Sequence, residues 1–105
     1  MEFEIISGNF EQEVLKSDIP VLVDFRASWC QPCAMLAPVL SQLAEKYEGK
    51  IKVGKVNIDN EIALTMKYSV TAVPTLVMIK NGEETERSVG LVSEEQLEEL
   101  IQRNI

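Results

Sequence analysis

The 105-residue sequence predicts an α/β fold: a central mixed, mostly parallel β-sheet with an antiparallel C-terminal hairpin, flanked by helices on both faces. Three observations carry that prediction. Short runs of apolar, often β-branched residues alternate with segments of helical periodicity, the pattern of parallel βαβ units. Asn81-Gly82, set between two extended runs, is the strongest short hairpin signal a sequence can carry. The composition, 46% apolar and 26% charged, is that of an ordinary globular chain, and the length suits one domain spanning residues 1–105.

Each element has a local reason. Residues 3–6 form an early strand and residues 10–16 a short helix. The run VLVDF at residues 21–25 is short, apolar and rich in β-branched and aromatic side chains, which suits a central strand. Leu36, Leu40, Leu43, Ala44 and Tyr47 then recur at helical spacing, with Gly49 as a C-terminal stop. Residues 51–58 return to strand character, and residues 61–68 form a short helix with Ile62, Met66 and Leu64 as its inward candidates. Residues 75–79 are extended and pair through the Asn81-Gly82 turn with residues 85–89. Ser93 and Gln96 fit a capping box opening a last helix, with Leu97, Leu100 and Ile101 on one face.

Composition also excludes chemistry. There is no histidine and there are only two cysteines, so Ser–His and Cys–His dyads are absent, and a four-thiolate metal site cannot be completed within one chain. The balance of 17 acids against 10 bases gives a net charge of −7, and the bases are scattered. That favours solubility and opposes binding to nucleic acid, which calls for a basic stripe. No run approaches the roughly 20 apolar residues of a membrane span. The start, MEFEIISGNF, has acids where a secretory signal has lysines. The expected setting is the cytoplasm, where lasting structural disulfides are rare and a cysteine pair is reactive or metal-binding.

That pair is Cys30-Gln31-Pro32-Cys33, placed after the central strand and at the start of a helix. In open α/β sheets, sites gather beyond the carboxyl ends of the strands. Residues i and i+3 share a helical face, so the two sulfurs can meet. A cysteine at a helix N-terminus faces unpaired N–H groups and the positive end of the dipole, both of which favour thiolate. Pro32 suits the first turn, where its missing N–H costs nothing. Such a pair serves redox chemistry or supplies half of a metal site. With no third cysteine and no histidine, metal would require a second subunit or several carboxylates. Asp24, in the middle of an apolar strand, is costly to bury unless paired or protonated, and desolvation should raise its pKa.

The run VLVDFRASWCQPCAMLAPVL resembles the active-site segment of the thioredoxin family. The similarity continues through KVNID at residues 55–59, AVPT at 72–75, KNGE at 80–83 and Val89-Gly90. The resemblance implies the thioredoxin fold and a redox role for Cys30 as nucleophile and Cys33 as resolving thiol. It implies that Asp24 accepts the proton of Cys33, that Lys55 modulates Asp24, and that Val73-Pro74 is cis. It places Trp29, Ala72, Val73, Pro74, Gly90 and Leu91 on the surface where a target polypeptide docks. Three positions depart from the family pattern: Gln31 where glycine is usual, Arg26 where tryptophan is frequent, and Ala34 where lysine is common. Gln31 and Pro32, lying between the cysteines, tune the redox potential.

The function so implied is a protein-disulfide reductase working by dithiol exchange, with no cofactor and no metal of its own. Its partners are disulfide-containing target proteins and a thioredoxin reductase, and it acts as a monomer. Other uses of the same frame are an oxidase or isomerase, a binding subunit or adaptor for another protein, and a metal-bridged dimer.

Overall fold

Strand β2 (Val21–Arg26) is the central strand of a five-stranded sheet in the order β1-β3-β2-β4-β5. The computed structural model describes residues 1–105. The other strands are β1 (Glu2–Glu4), β3 (Lys52–Asn57), β4 (Thr75–Lys80) and β5 (Glu83–Val89), and the helices are α1 (Gln31–Lys46), α2 (Ile62–Lys67) and α3 (Glu94–Arg103). A π-helical segment, Glu11–Leu15, fills the β1–β2 connection. The strands β1, β3 and β2 pair in parallel, and β4 runs antiparallel to both β2 and β5. The mixed sheet and the C-terminal hairpin are therefore as expected.

Alternation along β2 divides the core in two. Leu22 faces α1 and α3, where Val53, Leu76 and Met78 of the sheet meet Leu36, Leu40, Leu43, Leu97, Leu100 and Ile101. Val21, Val23 and Phe25 face the other way, toward Ile5, Phe10, Val14 and Leu64. All five strand residues from Val21 to Phe25 are buried, Asp24 included. A side chain such as Leu22 or Leu40 gains about 1.5–3 kcal/mol from full burial, which fixes the register of β2 under α1.

Most turn and cap signals have the form the residue types dictate. Asn81 and Gly82 both take positive φ, 54° and 80°, as a tight two-residue hairpin turn requires. Ser93 and Gln96 form a reciprocal capping box at α3. Two expectations change. The first strand is Glu2–Glu4 rather than residues 3–6, although Ile5 still donates to the Lys55 carbonyl at 2.8 Å. The Asn9 side chain ends the strand: its Oδ1 accepts from Ile6 N and its Nδ2 donates to Glu4 O, both at 2.9 Å. In α2, Ile62 and Met66 are 62% and 72% exposed, and Leu64 alone is buried. A helix of six residues has too few turns for apolar spacing to define its inner face.

Candidate redox site

The β2–α1 connection builds the site. Cys30 is the N-cap of α1, with extended backbone (φ −93°, ψ 110°), and its Sγ accepts a hydrogen bond from Cys33 N at 3.2 Å. The sulfur thus takes the place usually filled by a serine or aspartate oxygen. Gln31 and Pro32 occupy the first turn, both exposed, so Pro32 interrupts no helical hydrogen bond. Cys30 and Cys33 are joined by a disulfide, with Cα atoms 5.3 Å apart. The fold and the i, i+3 spacing together permit this closure.

The two sulfurs differ in access. Cys30 lines a shallow depression with Ser28, Trp29, Gln31, Ala34 and Met35, and Cys33 does not reach it. Cys30 is 6% exposed and Cys33 2%, and both pack inward with Ala27 against Ile58 and Val73. Nearby, residues 72–75 form a loop in which Val73-Pro74 is cis. Thr75 Oγ1 donates to the Ala72 carbonyl at 2.7 Å, and Gly90 N donates to the Pro74 carbonyl at 2.8 Å. Val73 therefore lies against the cysteines, and the Gly90–Leu91 segment is tied to the same loop. Ala72 and Leu91 are exposed beside it. Trp29, 67% exposed, donates its indole N–H to Asp59 Oδ2 at 2.9 Å.

Asp24 lies on the α1 side of β2, 1% exposed, and its Oδ1 has no hydrogen-bond partner. Burial pushes its pKa up to about 6, against the opposing pull of Lys55 and Arg26. Lys55 is opposite Asp24 in the β2–β3 register, yet its ammonium makes its ion pair with Glu2 Oε1 at 3.3 Å and none with Asp24. The expectation that Lys55 acts on Asp24 therefore reduces to a field effect. Direct pairing goes to β1, because the carboxylate there is partly hydrated and costs less to ionise than one buried under α1.

Sequence reasoning passed over Asp59, Thr75 and Met35. Asp59 holds the indole, Thr75 fixes the 72–75 loop, and Met35, 57% exposed, walls the depression at Cys30. A polar residue at a strand end near a turn was the available signal for Asp59, whose N–H is held by Asn57 Oδ1 at 2.9 Å. Nothing in the spacing marked Met35, since an apolar residue at that helical position reads equally well as core.

A self-bonding cysteine pair at a helix N-cap, one member lining a surface depression and the other enclosed, defines a protein of thiol–disulfide exchange on an α/β sheet. Comparison with known proteins narrows the class. The thioredoxin family model matches residues 2–103. A thioredoxin of Rickettsia bellii is 45% identical over 105 residues, covering all of both chains. Thioredoxin 1 of a Nostoc species is 43% identical over 97% of this chain and 95% of its own. A thioredoxin of Pseudomonas aeruginosa is 46% identical over 96% of this chain and 94% of its own. The chain belongs to the thioredoxin family and is a thiol–disulfide oxidoreductase, a protein-disulfide reductase by that membership. No helix is long and apolar enough to cross a membrane.

Proposed function

We propose that the chain reduces disulfides of target proteins through attack by Cys30, with Cys33 as the resolving thiol and Asp24 as its proton acceptor. The single observation that carries this reading is the asymmetry of the pair: Cys30 caps α1 and opens on a surface depression, while Cys33 is enclosed behind it. In the reduced protein, the N–H groups of the first turn of α1 stabilise a Cys30 thiolate. That thiolate attacks one sulfur of a target disulfide, forming a mixed disulfide and releasing one target thiolate, which takes up a proton. Cys33 passes its proton to the Asp24 carboxylate and attacks the Cys30 sulfur. The Cys30–target bond breaks, the second target thiol leaves with a proton, and Cys30–Cys33 is oxidised by two electrons.

On the same reading, Trp29, Ala72, Val73, Gly90 and Leu91 form the docking surface, with the buried Pro74 shaping the 72–75 loop whose backbone pairs with an extended segment of the target. Gln31 and Pro32 set the potential through the geometry of the first turn. Recharging needs an external dithiol, and the family supports a thioredoxin reductase in that role. The protein works as a cytoplasmic monomer.

Catalysed reduction of a protein disulfide by dithiothreitol tests the assignment. Cys30→Ser abolishes the catalysis, and Cys33→Ser accumulates a mixed disulfide visible as added mass. Wild-type turnover by Cys33→Ser would remove the resolving role. Full biological function of the double variant would favour a binding subunit over a reductase.

A further inference from the structure

A polar slot opens beside the sheet edge, between β1 and α1, lined by Glu2, Phe3, Glu4, Arg26, Ser41 and Lys55. Register puts its acids and bases on one face of the sheet. Glu4 is opposite Lys55, Lys55 is opposite Asp24, and Glu2 lies two residues from Glu4 on the same side of β1. Within this slot a single atom joins two elements. Glu2 Oε1 accepts from Lys55 Nζ at 3.3 Å and from Ser41 Oγ of α1 at 3.1 Å. The two ion-paired side chains are only about one-third exposed or less, 32% for Glu2 and 27% for Lys55. Glu4, carrying the same charge on the same face, makes no ion pair.

We propose that Glu2 is a positioning residue for the proton step: by holding Lys55 toward β1 and Ser41, it limits the lysine's pull on the buried Asp24. The inference rests on Asp24 being the proton acceptor proposed above. Asp24 has no partner on Oδ1, and Lys55 is the cation opposite it in register. Without Glu2, the Lys55 ammonium is released from its β1 pair and can turn to Glu4, opposite it on β1, or inward to Asp24, opposite it on β2. Removing the Glu2 charge acts in the same direction directly, since a like charge near a carboxylate favours the neutral acid. Both effects make Asp24 a weaker base once Glu2 is gone.

The other ionisable groups around Asp24 are few. Arg26 is on its own strand, and Glu2 and Glu4 are on β1. On α1, the Ser41 hydroxyl does not titrate, and Glu45 lies one turn further, beside Glu2 and Ser41. At the paired position β4 presents Leu76, and α3 adds only Leu97, Leu100 and Ile101 to this core. Arg26 is present in every variant below, so it cancels in the comparison.

The test follows the Asp24 carboxyl carbon by NMR as a function of pH in the oxidised protein, where neither cysteine titrates. In Glu2→Gln the midpoint falls by roughly half a unit, the scale for removing one partly hydrated charge. In Glu4→Gln, an equal charge change without the contact, it falls by less than half as much. In a Lys55→Gln background the Glu2→Gln shift shrinks by at least half. An unmoved midpoint in Glu2→Gln, equal shifts in the two glutamine variants, or an undiminished shift without Lys55 would each overturn the clamp. The pH profile of mixed-disulfide resolution is then measured on the same variants. If the Asp24 midpoint moves and the rate profile does not follow, the clamp stands and the proton-acceptor reading fails.

Discussion

Replacing Asp24 by asparagine should make the stability of the protein less dependent on pH, and the sign of the change follows from burial. The carboxyl group is 1% exposed and titrates near 6, against a reference of 3.8. A raised pKa in the folded state means that folding favours the protonated acid. The associated stabilisation is fully present below the unfolded value near 3.8, and it is lost as the pH rises through about 6. A displacement of roughly two units, at about 1.4 kcal/mol per unit, corresponds to about 3 kcal/mol in full, of which about 2.4 kcal/mol falls between pH 4 and pH 7.5. Asparagine keeps the shape and cannot ionise. Its amide has a burial cost of its own, but that cost does not vary with pH. The measurement is urea unfolding of the oxidised protein and of Asp24→Asn at intervals from pH 4 to 8. Surface carboxylates such as Glu84 and Glu86, both held below the usual range by arginine partners, cancel in the difference. The variant gains on the wild type as pH rises, by about 2.4 kcal/mol over the interval. A constant gap across that range would refute the reasoning that burial governs this carboxyl.

Three further outcomes rest on separate features. Ser93→Ala removes the reciprocal cap of α3 and should cost about 1 kcal/mol, seen as a fall in Tm of roughly 4–8 °C with disulfide reduction unchanged. Gly54→Ala puts a methyl group against Ile5, 2.8 Å from its Cγ1, and 3.1 Å from Phe3 Cζ; chemical unfolding should show a loss of about 1–3 kcal/mol as β1 is pushed from β3. Ala34→Lys adds a cation to the first turn of α1 and should lower the Cys30 pKa by well under one unit in low salt. Thiolate absorbance against pH should show that gain vanish by about 0.5 M salt, with the wild-type midpoint nearly unmoved.

The sheet, its hairpin and the cysteine site were legible because each depends on local chemistry that survives tertiary context. An apolar β-branched run such as Val21–Phe25 has few places to go but the centre of a sheet, and Asn81-Gly82 accepts positive φ where other pairs resist it. The inner face of α2 was not legible. Ile62 and Met66 share a helical stripe, but a six-residue helix is oriented by its anchors, here Leu64 and the bonds from Ser7 to Glu61, rather than by apolar spacing. The partner of Lys55 was also hidden. Residue types announce an acid in a strand, but only register reveals that Glu2 and Glu4 on the edge strand compete for the same lysine. For the same reason Asp59 escaped notice: its bond to Trp29 spans 30 residues and joins two loops that no periodicity relates.

In the proposed mechanism, a chain with no histidine performs thiol chemistry by dividing two tasks that an imidazole would combine. Making the nucleophile falls to the backbone: Cys30 caps α1, the Cys33 N–H already points at its sulfur, and no acidic side chain stands in the first turn to oppose the charge. Those donors are fixed by the helix itself, so ordering them adds no cost at the moment of attack. Moving the second proton is assigned, on the proposed reading, to Asp24, whose burial raises its affinity for a proton toward neutrality. The tasks are separated in space as well, since Cys30 faces the depression walled by Trp29 and Met35 while Asp24 lies beneath α1. Substitutions at the mouth of the site can therefore alter which targets are attacked without disturbing the proton step. On the proposed Glu2–Lys55 clamp, substitutions along the β1–β3 edge act instead on the pH at which the mixed disulfide resolves.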